Sequence, residues 1–274
     1  MNINGKVTHI GLTHPGRVRE LNEDALDCDL EYGISVLADG MGGYNAGEIA
    51  SEITVRTVVE MVKAGLSKLE KTAQVDPETG YTWESIVLRD SVKRANKIVY
   101  QTANSKEEYH GMGTTVVTCL FFDNRISIAH VGDSRCYRLR AGTFEQLTTD
   151  HSLLQELVSR GFYTKEEAAR SLNKNYVTRA VGVDNSVEVD ILEDIARVGD
   201  IYLLCSDGLS DMLEDEDIHL TIRTFSDNLD TAAKQLIALS NEHGGRDNIS
   251  VSLLQVVKSF EENKGFFKRF VSWF

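Results

Sequence analysis

GTTVVTCLFFDNRISIAHVGDSRCYRLR, residues 113–140, decides the fold class. Three runs rich in apolar and β-branched residues, 114–122, 125–131 and 135–140, are separated only by Asp123-Asn124 and by Gly132-Asp133. Turns that short between strand-like runs make hairpins, so antiparallel pairing is expected here. Working outward, 7–12 is a strand running into a His14-Pro15-Gly16 turn, and 33–37 is an apolar run ending at Ala38-Asp39-Gly40. Helical periodicity follows, with Ile49, Ile53, Val58 and Val62 on one face. The polar stretch 65–80 reads as a connection, and 83–102 as a second amphipathic helix with Val87, Ala95, Ile98 and Val99 on its apolar stripe. Downstream, 152–175 is polar and helical, and Thr164-Lys165-Glu166-Glu167 has the form of a capping box. Strands at 187–192 and 200–206, a helix at 229–242 and a strand at 249–256 complete the series. Grouped strands and paired helices predict an α+β fold, its antiparallel sheets stacked as a sandwich with helices outside. No internal repeat or linker divides the chain.

The net charge of −13 argues against a nucleic-acid backbone as partner, since that contact needs a basic footprint. It would also repel a phosphorylated substrate, so a phosphate-handling site would need cations to reverse the local field. Cys28, Cys119, Cys136 and Cys205 form no CxxC pair, and reduced thiols are expected. MNINGKVTHIG lacks the charged start and apolar core of a signal peptide, and no run approaches a membrane span. A cytoplasmic location follows as the expectation.

Five acidic spots share one grammar, an aspartate at a strand end beside a glycine or asparagine turn. They are Asn22-Glu23-Asp24, Asp39-Gly40-Met41-Gly42-Gly43, Gly132-Asp133-Ser134-Arg135, Ser206-Asp207-Gly208 and Arg246-Asp247-Asn248. Any one alone is an ordinary turn. Five together, at one rim of a sheet, would repel one another unless cations compensated. Carboxylates without histidine or cysteine partners favour hard ions such as Mg²⁺ or Mn²⁺. The calcium loop, with its central glycine and terminal glutamate, is reproduced nowhere, and Gly111-Met112-Gly113-Thr114-Thr115 lacks the P-loop lysine.

The ordered series R-x-x-N-E-D (19–24), D-G-M-G-G (39–43), G-T-T (113–115), G-D-S-R (132–135), S-D-G-L-x-D (206–211) and G-G-x-D-N (244–248) resembles the metal-dependent protein phosphatases of type 2C, the PPM family, in their bacterial form. The resemblance runs from about residue 8 to 256 and implies a central β-sandwich flanked on both sides by helix pairs, with two ions, or three, of Mn²⁺ or Mg²⁺ at one end. It implies that Asp39 bridges two ions and that the Gly40 carbonyl ligates one. Asp207 and Asp247 complete that site, and Glu23 and Asp24 act on it directly or through water. Asp133 and Asp211 match the positions for a third ion, and Arg19 the arginine that grips the substrate phosphate. The implied reaction is hydrolysis of phosphoserine and phosphothreonine in proteins, with Asp39 and Asp207 at its centre and a cognate kinase opposing it. The alternative is a catalytically silent phosphoprotein-binding regulator, which loss of a metal ligand would favour. Many family members carry histidine where this chain has Met41, which cannot donate a proton. His151 is a tempting substitute, although a lone histidine after a turn is more often structural.

The implied division is a catalytic domain over 1–258, its flap at about 152–178, and a basic-aromatic tail over 259–274. Flap residues Arg160, Lys165, Arg170 and Lys174 are candidates to meet acidic flanks of a substrate, or form a solvated face. In the tail, Phe266, Phe267, Phe270, Val271 and Phe274 would form one helical face beside Lys264, Lys268 and Arg269, suiting weak contact with a membrane surface or a partner through 264–274. A monomer is expected.

Overall fold

The computed structural model describes residues 2–42, 46–69, 75–164, 167 and 176–262. Along the chain come β1 (Val7–His14), β2 (Asp24–Asp29), β3 (Ile34–Met41), α1 (Ala46–Leu66), α2 (Trp83–Ala103), β4 (Gly113–Thr114), β5 (Val116–Phe122), β6 (Arg125–Val131), β7 (Arg135–Arg140) and β8 (Thr143–Gln146). Then follow α3 (Leu153–Ser159), β9 (Asp190–Ile195), β10 (Ile201–Cys205), α4 (Asp207–Ser210), α5 (Asp215–Thr224), α6 (Leu229–Glu242) and β11 (Ile249–Val256). One sheet has the order β1-β11-β10-β7-β8 and the other β2-β3-β5-β6-β9, with β4 paired to β3; all these strand pairs are antiparallel. The α+β sandwich expected from residues 113–140 is the observed architecture, with one correction: β5 and β6 form a hairpin, but β6 and β7 do not pair, because the chain crosses from one sheet to the other at Gly132-Asp133.

The two-residue period of a strand sorts side chains between layers. In β5, Val117, Cys119 and Phe121 point between the sheets, while Val116, Leu120 and Phe122 pack under α1 and α2. Buried on both faces, β5 therefore reads as an apolar run interrupted only by Thr118, whose hydroxyl donates to the Ser35 carbonyl. In β10 and β11, Ile201, Leu203, Val251 and Leu253 face α5 and α6, whereas Tyr202, Leu204 and Leu254 face the other sheet. Helix pair, sheet, sheet and helix pair make the layers.

Several elements differ from the sequence expectation. The strand expected at 187–192 lies at Asp190–Ile195, an edge strand whose half-exposed residues blur the apolar pattern. β2, β8 and α5 carry too little apolar periodicity to be read in advance. Asp24 opens β2 instead of ending a strand, and Asp247 precedes β11. Antiparallel pairing brings starts and ends of strands to the same rim, so the cluster still forms. Residues 263–274, and most of 165–175, lie outside the described residues. Among the described residues, no helix is long and apolar enough to cross a membrane.

Candidate metal centre

Register places the acidic residues. Asp24 and Asp39 are directly paired across β2 and β3, which puts both side chains on one face. Asp133 follows β6, Asp207 opens α4 directly after β10, and Asp247 sits just before β11. All come to the same end of the sandwich.

The motif residues beside them build the frame. The Asp39 N–H donates to Thr115 Oγ1 at 3.1 Å, while the Asp39 carbonyl accepts from Thr115 N–H at 2.8 Å and from Thr114 Oγ1 at 2.7 Å. Thr115 Oγ1 also lies 2.7 Å from Ser134 Oγ, tying this strand to the Asp133 loop. At Gly40 a Cβ would stand 2.2 Å from the Gly47 carbonyl, and at Gly208 one would stand 2.0 Å from that of Asn248. Both Asp-Gly pairs therefore owe their glycine to close backbone approach. Asn248 clamps the entry to β2, accepting from Glu23 N–H at 2.7 Å and donating to the Pro15 and Leu21 carbonyls at 3.0 and 2.8 Å. Ser206 Oγ donates to Asp24 Oδ2 at 2.9 Å. The sequence singled out the carboxylates but assigned no role to Thr114, Thr115, Ser134, Ser206 or Asn248, because small polar residues carry no spacing signal of their own.

The electrostatics are those of crowded buried anions. Burial first, then Asp24, Asp207, Asp133 and Asp247, hold the Asp39 carboxyl well above the usual range. Asp207 is likewise raised by burial and by Asp133, Asp211, Asp247 and Asp24. Burial pushes Asp24 up to about 6 against the pull of the Ser250 and Ser206 hydroxyls. Asp133 reaches about 6 through burial, with Asp150 and Asp211 adding to it. Glu23 is raised by burial, opposed by the Gly47 N–H at the start of α1 and by Arg19. Asp24 Oδ1 and Asp207 Oδ1 are buried without a hydrogen-bond partner. Buried anionic oxygens without donors are costly, and hard divalent cations would satisfy them. The residues present fit Mn²⁺ or Mg²⁺.

Asp211 caps α4, its N–H on the Asp207 carbonyl at 2.7 Å. Arg19, half-exposed at the rim, pairs with Asp247 at 2.7 Å. Asp150 beside Asp133 is held by both Nε and Nη2 of Arg135, which also reaches Tyr137 Oη. Arg160 pairs with Glu156 at 3.6 Å, and Lys165, Arg170 and Lys174 lie outside the described residues.

His151 serves the frame. Its Nδ1 accepts the Gly132 N–H at 3.1 Å, so Nε2 carries the proton and faces Asp190 Oδ2 at 3.3 Å. Burial, then His130 and Arg179, lower its pKa and keep the ring neutral. His130, His151 and Asp190 bring ligand-type atoms within 4.8 Å of one another. However, the two rings stack at 4.6 Å and 19°, with lone pairs in near-parallel planes, and His130 Nε2 is engaged by the Thr149 carbonyl at 2.9 Å. This is a hydrogen-bonded cluster whose donors do not converge on an ion.

Comparison with known proteins agrees with this geometry. Residues 13–241 match the family model of protein phosphatase 2C. The serine/threonine phosphatase stp of Listeria welshimeri is 39% identical over 249 residues, covering 89% of this chain and 93% of that protein. The crystal structure of the Mycobacterium tuberculosis serine/threonine phosphatase PstP/Ppp superimposes with a TM-score of 0.80 at 33% identity, covering 91% of this chain and 98% of that one. A structure of the PstP catalytic domain in complex with two manganese ions gives 0.77 at 33% identity, covering 92% and 98%.

Proposed function

The chain belongs to the protein phosphatase 2C family, and from that premise we propose how its residues hydrolyse phosphoserine and phosphothreonine in proteins. It is a metal-dependent protein-serine/threonine phosphatase. Asp39, the Gly40 carbonyl, Asp207 and Asp247 would hold two Mn²⁺ or Mg²⁺ ions, with Glu23 and Asp24 acting on them directly or through water, and Asp133 and Asp211 would serve a third. Bound there, the ions supply Lewis acidity toward the phosphoryl oxygens and a water acidified enough to attack phosphorus near neutral pH. The Arg19 fork, paired with Asp247 before substrate arrives, takes two phosphoryl oxygens and absorbs charge as the bond to the leaving oxygen breaks. The leaving alkoxide draws its proton neither from Met41, which has none, nor from His151, whose ring nitrogens are held by Gly132 and Asp190.

The observation that carries this reading is the pair of partnerless buried oxygens, Asp24 Oδ1 and Asp207 Oδ1, inside a cluster of mutually repelling aspartates. Hydrolysis of a generic aryl phosphate should require added Mn²⁺ and disappear with chelator, and Asp39→Asn or Asp207→Asn should each reduce it at least about a hundredfold. Robust turnover in metal-free buffer would refute the mechanism. No turnover at any Mn²⁺ concentration would leave the silent regulator.

We further propose phosphorylated substrates of a cognate serine/threonine kinase, a monomeric enzyme, and a cytoplasmic location. The proposed division is 1–258 catalytic, with the flap at 152–178, and 259–274 tail, where buried Phe260 packs edge-on against Phe121. The tail's interleaved aromatic and basic residues would touch a membrane surface weakly. Deleting 264–274 should then lower binding to anionic liposomes; equal binding of both forms would sink the idea.

A further inference from the structure

Among the described residues, several arginines are engaged: Arg135 with Asp150, Arg138 with Asp194 and Glu145, Arg140 with Asp200, Arg179 with Asp190. Arg17 and Arg246 differ. Both are exposed, and among the described residues neither guanidinium makes an ion pair or a hydrogen bond. They belong to two loops fastened to each other beside Arg19. The Arg17 N–H donates to the Gly245 carbonyl at 2.7 Å, and a Cβ on Gly16 would stand 2.3 Å from the Asp247 carbonyl. Asp247 in turn holds Arg19. Next to this seam a cleft of about 350 Å³ opens against α6, lined by Arg17, Lys234, Ile237 and Ala238 among others. Lys234 is already paired with Asp230, and His14 Nδ1 accepts the Gly16 N–H. Glu242 stands on the same lining. Among the described residues the unpaired cations at this seam are thus Arg17, which lines the cleft, and Arg246, on the neighbouring loop.

We propose that Arg17 and Arg246 form a subsite for a carboxylate side chain flanking the phosphorylated residue, so that the enzyme prefers phosphopeptides with aspartate or glutamate near the phosphate. The proposal rests on Arg19 as the phosphate-binding group. Two residues of chain span at most about 7 Å, so Arg17 lies within reach of a side chain one to three positions from the phosphoresidue. In a molecule of net charge −13, an acidic substrate flank would otherwise meet repulsion. Unpaired guanidiniums at the rim reverse that locally and steer the encounter. The flap supplies no unpaired described counterpart, since Arg160 is paired with Glu156.

The test compares kcat/KM for a phosphothreonine peptide carrying glutamates at positions −3 to −1 or +1 to +3 with its alanine version, for the full chain with Mn²⁺. Wild type should prefer one acidic peptide about fivefold or more, the preference shrinking as salt rises. In Arg17→Glu/Arg246→Glu the ratio should fall to one or below, and in Arg17→Gln/Arg246→Gln it should fall part-way. The alanine peptide is the internal reference, because a folding defect lowers both rates and leaves their ratio unchanged. A wild-type ratio near one, or a ratio that survives charge reversal, overturns the subsite. Failure of wild type to hydrolyse either peptide strikes instead at the phosphatase reading on which it rests.

Discussion

Single carboxylates here trade stability for chemistry. Asp39 and Asp207 are forced together by register and chain reversal, and without cations their repulsion opposes folding. Asp39→Asn should therefore do two things at once: remove Mn²⁺-dependent turnover and raise the melting temperature of the metal-free protein by a few degrees. A variant less stable than wild type in chelator would contradict this. His9 shows the opposite sign in a setting unconnected with metal. Its ring, bonded to Ser252 at 2.9 Å, is lowered to about 4 by burial, with Asp27 opposing. Below the unfolded value near 6.5 the unfolded chain takes up a proton that the folded chain refuses, so stability is lost as pH falls from 6.5 toward 4. Relative to His9→Gln, wild type should lose about 2 kcal/mol more between pH 7 and 4.5 in urea unfolding. Parallel pH profiles would exclude the assignment.

Elements were legible where one pattern dominated. α6 falls at the expected residues because it buries one regular stripe, and β11 because it is a largely apolar run buried on both faces. In 113–140 the two-residue turn at Asp123-Asn124 makes the β5–β6 hairpin, whereas the turn at Gly132-Asp133 passes the chain to the other sheet. The capping box at 164–167 is present in both directions, Thr164 N–H to Glu167 at 2.8 Å and Glu167 N–H to Thr164 Oγ1 at 3.2 Å. β2 was missed because Asp24, Asp27 and Asp29 interrupt it; at Asp24 function overrides strand propensity. The clustered aspartates were visible as a grammar of turns, but the hydroxyls that frame them were not, since Thr115 and Ser134 meet only after folding. One long-range cap shows how elements are joined. Glu193 of β9 accepts from Thr82 N–H, Thr82 Oγ1 and Ser85 Oγ at the start of α2, at 2.8, 2.6 and 2.5 Å. Thr82→Ala removes the cap and one of these donors, and should cost about 1–2 kcal/mol in chemical denaturation. A loss under a few tenths would show that α2 is held by packing alone.

Across the whole molecule, the sandwich gathers Asp24, Asp39, Asp133 and Asp207 at one end and shields them from water, which sets the coupling between folding, protons and metal. Without metal, Asp24 and Asp133 titrate near 6 because of burial, with neighbouring carboxylates adding to it. These folded-state values exceed the unfolded one, so their contribution favours the folded chain below the unfolded pKa and is lost as pH rises through about 6. Metal reverses the dependence, since ligating carboxylates must be deprotonated and binding releases their protons. The rise in melting temperature on adding excess Mn²⁺ should therefore be larger at pH 7.5 than at pH 5.5, because at the lower pH part of the binding free energy is spent displacing protons. Calorimetric titration at pH 6 in two buffers of different ionisation enthalpy should show proton release on binding. Equal melting shifts at the two pH values, together with no proton release, would mean that the buried carboxylates do not hold the metal.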